Sequence, residues 1–207
     1  MANVEMIDGA SAAQVADWLE QQLKSALSAS DKSQAITVPG GSTPFPIMEQ
    51  FVPRNLDWSR VIVWPGDDRV VPEDHEASNT GKLRAIFEPV GAEVAALTIM
   101  EKIPRFSLCW LGMGADGHLA SLFPNTDPQV TAPQSVIRLT PDPLPPEAPF
   151  DRISLTIPSL LASDTIVFTL GENPEKRRLF EAAARGDNDL PIARFLGATD
   201  QKVTCFT

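Results

Sequence analysis

The feature that most constrains this chain is a regular alternation. Short apolar runs are separated by longer segments in which apolar residues recur at helical spacing. Ala35-Ile36-Thr37-Val38, Arg60 to Trp64, Phe106 to Leu111, Arg152 to Ile157, Thr165 to Leu170 and Val203 to Phe206 have the composition and length of buried strands. Between them, Ser11 and Gln14 form a capping-box pattern, followed by Val15, Trp18, Leu19, Leu23, Ala26 and Leu27 on one helical face. Phe45, Ile47, Met48 and Phe51 supply a second helix, Leu83, Ile86 and Phe87 a third, and Pro174 to Arg185 a fourth. Strands that alternate with helices predict an α/β fold, with a mostly parallel sheet covered by helices on both faces. The proline-rich stretch from Pro141 to Pro149 reads as a loop rather than a boundary, because the same alternation resumes after it. One domain over 1–207 is therefore expected.

Charge narrows the partners. The net charge is −10 and the sequence pI is about 4.6. Such a field repels nucleic acid, so no nucleic-acid partner is expected, and a small anionic substrate requires cations concentrated in one place. No apolar run approaches the roughly 20 residues needed to span a bilayer, so no membrane association is expected. The N-terminal stretch has no basic segment followed by an apolar core, which makes the cytoplasm the default compartment. Cys109 and Cys205 sit in apolar contexts and read as buried thiols in strands. Two distant histidines and two distant cysteines give no metal-ligand spacing.

Ligands of such sheets bind at the carboxyl ends of strands, and the loops there carry most of this chain's glycine and charge clusters. Gly40-Gly41-Ser42-Thr43-Pro44 suits a phosphate, since glycines allow close backbone approach and a helix start offers free N–H groups. It equally suits an ordinary strand-to-helix turn with Thr43 as cap. Gly66-Asp67-Asp68-Arg69 is either a solvated loop with a surface ion pair or a grip in which a carboxylate steadies Arg69 on an oxyanion. Gly112 to Gly117 matches the glycine spacing of a dinucleotide-binding turn, but Pro124 interrupts the helix that such a turn requires, and no acidic residue ends a following strand. His118 directly follows the last glycine. An imidazole there is either a hydrogen-bonded structural group or a base for water, with Asp116 or a carbonyl orienting it. His75, in Pro72-Glu73-Asp74-His75-Glu76, reads as a solvated surface residue. Asn173 and Pro174 suit a helix start, and Lys176 lies in its first turn, where the dipole disfavours a cation unless an anion is near.

Taken in order, Gly-Gly-Ser-Thr-Pro at 40–44, Gly-Asp-Asp-Arg-Val-Val-Pro at 66–72 with Ser78-Asn79, and Leu-Gly-Met-Gly-Ala-Asp-Gly-His-Leu-Ala-Ser-Leu-Phe-Pro at 111–124 resemble the 6-phosphogluconolactonase family. Arg152 to Thr156 and Leu190 to Arg194 fit the same pattern. The resemblance implies a Rossmann-like fold shared with sugar-phosphate isomerases. It implies hydrolysis of a phosphorylated sugar lactone in the pentose phosphate pathway, with no organic cofactor. His118 matches the general base. Gly40, Gly41, Ser42, Thr43, Asp67, Arg69, Asn79, Gly114, Asp116, Arg152, Lys176 and Arg194 become the implied substrate-binding set.

Two positions depart from the family pattern. Asp68 stands where a glutamate is usual, and Lys176 follows Gly171 by five residues where three is usual. The related glucosamine-6-phosphate deaminases carry an Ile-Ala-Phe-Asn-Glu-Pro-like run after Asp-Gly-His. This chain has Leu119 to Pro124, without that carboxylate. A sugar-phosphate-binding regulator on the same fold would be expected to carry a basic DNA-binding segment, and the residues before the first predicted strand hold none.

Overall fold

The computed structural model describes residues 3–100, 102–146 and 148–207. The chain runs β1 (Val4–Ile7), α1 (Ala12–Ala29), β2 (Gln34–Val38), α2 (Phe45–Phe51), β3 (Val61–Pro65), β4 (Asp67–Arg69), α3 (Asn79–Phe87), β5 (Glu93–Val94), β6 (Leu108–Leu111), β7 (Val136–Leu139), β8 (Arg152–Leu155), α4 (Ile157–Leu161), β9 (Ile166–Thr169), α5 (Pro174–Arg185), α6 (Pro191–Ala198) and β10 (Val203–Phe206). Among the described residues, seven strands form one sheet in the order β1-β10-β9-β6-β2-β3-β5, with every pairing parallel.

Parallel strands buried on both faces must send alternate side chains into two different cores. β6 does so: Leu108 and Trp110 enter one apolar cluster, Cys109 and Leu111 the other. The first cluster is closed by Val15, Leu19 and Leu23 of α1, Met48 and Phe51 of α2, and Leu83 and Phe87 of α3. The second is closed by Phe180 and Ala183 of α5 and Ile192, Phe195 and Leu196 of α6. Each fully buried large side chain contributes roughly 1.5–3 kcal/mol. Both cysteines are buried and free, and burial pushes each thiol up to about 12.

The strand order locates the functional end. After β2 the chain crosses to β3 on one side, and after β6 it crosses towards β9 on the other. The crevice between β2 and β6 is therefore the topological switch point, where ligands of open α/β sheets bind. The loops at 39–44 and 112–118 flank it.

Several sequence expectations change. Arg152 to Leu155 do form a strand, but not in the main sheet. β8 lies in a second, antiparallel sheet of order β4-β8-β7. Asp67 to Arg69, taken as loop, become a strand because β8 supplies their ladder partners. Ile157 opens α4 instead of ending the strand. Thr43 does not cap α2: Pro44 occupies the cap position, with no side-chain cap bond. β1, β5, β7 and α6 are additional elements. The Ser11–Gln14 capping box and the Asn173 cap both form as the patterns predict.

Candidate active site

The loop after β6 is a tight, self-bonded turn. Gly117 N–H donates to the Gly114 carbonyl at 3.1 Å, and Gly114 N–H donates to the His118 carbonyl at 2.9 Å. Gly117 has φ +82°, a left-handed conformation that glycine accommodates without penalty. A Cβ on Gly114 would overlap the His118 ring, so this glycine is required for the imidazole to fold back over the turn. The glycines of this segment thus build a pedestal for His118.

The imidazole is held from two sides. Its Nδ1 lies 2.6 Å from Asp116 Oδ1, and its ring packs against Phe123 with centroids 4.5 Å apart. Asp116 Oδ1 also accepts the His118 backbone N–H at 3.2 Å. A carboxylate accepting at Nδ1 places the proton there and leaves the Nε2 lone pair free. Burial opposes ionisation of Asp116, but the hydrogen bond and charge of His118 outweigh it and hold the carboxyl below its ordinary range.

His118 stands where two compartments of one cleft meet. The wider, about 780 Å³, is lined by Asp67, Arg69, Asn79 and Arg152 among others. The narrower, about 340 Å³, is lined by Ser42, Thr43, Gly114 and Lys176. Gly40, Gly41, Asp67, His118 and Ala120 wall both. A Cβ at Gly40 would overlap the Asn79 side chain, so the glycine lets β2's loop and the start of α3 close together.

Arg69 and Arg152 are direct partners across the β4–β8 ladder. Arg69 Nη1 donates to the Ala77 carbonyl at 2.9 Å, and its buried Nε has no partner among the described residues. Arg152 is 3% exposed and donates to the carbonyls of Phe150 and Ala148 at 2.7 and 2.8 Å. Burial, then the neighbouring Arg69 charge, pulls Arg152 below the ordinary guanidinium value. Among the described residues neither arginine forms an ion pair within 4 Å, so the pair retains charge for an incoming anion. This meets the requirement set by the acidic composition.

The expectation that a carboxylate steadies Arg69 is corrected here. Asp68 is buried and accepts the backbone N–H groups of Arg69, Asn79 and Thr80 at 2.7, 2.6 and 2.9 Å, and the Ser78 hydroxyl at 3.2 Å. It caps the entry to α3, and the Ala77 carbonyl holds the guanidinium instead. Asp67 accepts the Ser121 hydroxyl and, at its carbonyl, the Asn79 amide at 2.9 Å. Burial pushes the Asp67 carboxyl up, against the lowering effects of Ser121, Arg69 and His118.

Arg194 lies outside the cleft. Its guanidinium is taken by Asp189 at 2.9 and 2.7 Å and by Asp127 at 2.5 Å, acidic loop residues that satisfy it at the surface. Asp116 lies behind His118 rather than on the wall. Ser121, Lys82 and His75 also line the cleft, although the sequence patterns assign none of them to a site. For Ser121 the signal was its place within the block ending at Pro124. Lys82 and His75 lack any local pattern. Among the described residues, no three His, Cys, Asp or Glu side chains converge as a metal-ligand set, and no helix is long and apolar enough to cross a membrane.

The family model described as glucosamine-6-phosphate isomerases/6-phosphogluconolactonase matches residues 8–94 and 87–205. The chain is 32% identical to the 6-phosphogluconolactonase of Pseudomonas putida, across 89% of this chain and 84% of that protein. It is 31% identical to the 6-phosphogluconolactonase of Neisseria meningitidis serogroup A, across 97% and 95%. Its fold is similar to the crystal structure of a 6-phosphogluconolactonase from Shewanella baltica, with TM-score 0.79 and 26% identity over 100% of this chain and 97% of that one. The Thermotoga maritima 6-phosphogluconolactonase has the same fold, with TM-score 0.80 at 21% identity over 98% and 97%. With its cleft at the switch point, the His118 pedestal and these matches along nearly its whole length, the chain belongs to the glucosamine-6-phosphate isomerase/6-phosphogluconolactonase family.

Proposed function

We propose that the protein is a cytoplasmic lactonase that hydrolyses 6-phospho-D-glucono-1,5-lactone to 6-phosphogluconate, a step of the pentose phosphate pathway. The observation that carries the reading is an oriented imidazole at the junction of a cleft that holds Arg69, Arg152 and Lys176 in an acidic protein. The 6-phosphate takes its cationic partners from those three residues, and the amides of the Gly40–Thr43 loop lie alongside. Asp67 and Asn79 offer polar contacts to sugar hydroxyls.

His118 Nε2 removes a proton from water, and the hydroxide attacks the lactone carbonyl carbon. Backbone N–H groups at the cleft wall stabilise the oxyanion as it forms. Collapse of the tetrahedral intermediate expels the ring oxygen, which takes a proton back from the imidazolium. Asp116 keeps the ring oriented and offsets its transient positive charge.

The runner-up chemistry is deamination of an amino-sugar phosphate. Deaminase relatives carry a glutamate in the run after Asp-Gly-His, at the position Phe123 holds here, and the Phe123 ring packs on His118. An apolar ring there favours the lactonase. The deciding experiment measures lactone hydrolysis above the spontaneous rate at fixed pH, with ammonia release from glucosamine 6-phosphate assayed in parallel. Lactone hydrolysis alone is expected; ammonia release without it would overturn the assignment.

A further inference from the structure

We infer that His75 is a positioning residue that sets the geometry of both cleft arginines; this rests on the reading of Arg69 and Arg152 as substrate-holding groups. From its acidic sequence context His75 is expected to be a solvated surface residue, and it is indeed exposed. It is nevertheless tied at two points. Its Nδ1 accepts the Ala77 N–H at 3.0 Å. Its ring meets Phe150 edge-on, with centroids 5.4 Å apart and planes at 76°.

Each of the two residues it ties presents a carbonyl to one of the arginines, and Arg152 has a second such partner in the Ala148 carbonyl. The Ala77 carbonyl accepts from Arg69 Nη1 at 2.9 Å, and the Phe150 carbonyl accepts from Arg152 Nη1 at 2.7 Å. The N–H and C=O of Ala77 flank one Cα, so fixing the first restricts where the second can point. Phe150 directly follows the proline-rich segment, remote in sequence from the loop at 72–78. The two loops meet at this imidazole on the rim of the wider compartment. The guanidinium orientations therefore depend on a contact that β4 and β8 do not themselves provide.

The residue type fits the task. An acceptor at Nδ1 requires the neutral ring with its proton on Nε2. The same ring supplies a flat face and edge for Phe150. Asparagine keeps an acceptor at the δ position without the ring, and phenylalanine keeps the ring without the acceptor. These two substitutions separate the two ties.

The test is steady-state lactonase kinetics on His75→Ala, His75→Asn, His75→Phe, Arg69→Ala and the His75→Ala/Arg69→Ala double variant, with thermal unfolding of each. His75→Ala is expected to raise KM about fivefold, with kcat changed by less than about twofold and little change in Tm. His75→Asn and His75→Phe should each recover part of the KM. In the Arg69→Ala background the His75→Ala effect should shrink, because part of it acts through Arg69. If Arg69→Ala raises KM but His75→Ala does not, the positioning role falls and the arginine reading stands. If Arg69→Ala leaves KM unchanged, both fall. A His75→Ala variant in which kcat, KM and Tm all deteriorate would mark a merely structural residue. Should that variant not fold, the Asn and Phe variants decide: equal loss in both, with lowered Tm, overturns the proposal.

Discussion

The loop after β6 and the small sheet β4-β8-β7 both wall the cleft and are built on opposite plans. In the loop, the groups that directly shape the imidazole are close in sequence, although the turn beneath it also takes the Ile192 N–H at the Gly117 carbonyl, 3.1 Å away. Gly114 makes room, Gly117 turns the backbone, Asp116 holds Nδ1, and Phe123 covers the ring. In the sheet, Arg69 and Arg152 meet only through tertiary pairing; Arg69 is oriented by the Ala77 carbonyl of the following loop, and Arg152 by the Phe150 and Ala148 carbonyls just before β8. A local turn can survive small shifts of the whole fold. A site assembled from distant segments depends on every anchor that keeps those segments in register. The proposed base thus sits on the local construction and the proposed anion grip on the remote one.

Substitutions can break this contrast at either end. His118→Ala strikes the local construction, and kcat should fall by about 10²–10⁴-fold with the urea unfolding midpoint nearly unchanged. An unchanged kcat would remove His118 from the chemistry. Asp68→Ala strikes the remote one. The buried carboxylate accepts three backbone N–H groups and the Ser78 hydroxyl, and leaving those donors unpaired should cost roughly 3 kcal/mol in urea denaturation. KM should rise more than kcat falls, since Asn79 and the Arg69 backbone lose their anchor.

Smaller effects sharpen the comparison. Asn173 accepts the N–H groups of Glu175 and Lys176 at 2.9 and 3.3 Å, so Asn173→Ala should lower stability by about 1 kcal/mol. If Lys176 holds the phosphate, KM should rise with it, and an unchanged KM would argue that the lysine reaches the cleft independently of its cap.

The smallest effect concerns Asp116, whose carboxyl lies below its ordinary range when folded. A carboxyl depressed in the folded state stabilises fully above the unfolded value, and that stability is lost as pH falls through the folded value. The stability gap between the wild type and Asp116→Asn should therefore close as pH drops through and below the ordinary aspartate range. The pair is half exposed, so solvent screening keeps this gap small. A gap that widened as pH fell through the ordinary aspartate range would contradict the sign of the shift.

Legibility in the sequence followed the same divide. The helices α1 and α5 carry their caps and apolar faces within a single stretch, and both ends of α5 fell where the pattern put them. β6 is legible as an unbroken apolar run, and β10 as one interrupted only by Thr204. β1 and β7 are not, because each is an outer strand of its sheet with partly exposed residues that dilute the signal. The three residues of β4 are all charged and look like loop until β8 is brought beside them. At the site, the His118 block could be read as a unit. Arg194 could not be told from Arg152 by sequence, since both are arginines in family-like segments. Their fates differ because Asp127 and Asp189 reach Arg194, while carbonyls hold Arg152 beside the cleft.

The sequence by itself determined that this chain is a doubly covered parallel α/β protein and that an imidazole is presented on a glycine turn. Apolar periodicity, caps and glycine spacing are local quantities, and short-range sterics and hydrogen bonding decide them. Tertiary structure alone decided that Asp68 caps α3 instead of steadying Arg69, that Arg152 leaves the main sheet to stand beside Arg69, and that Arg194 is spent at the surface. Those outcomes depend on which groups the tertiary fold brings within hydrogen-bonding or ion-pairing distance of a charge, and no stretch of sequence records that distance.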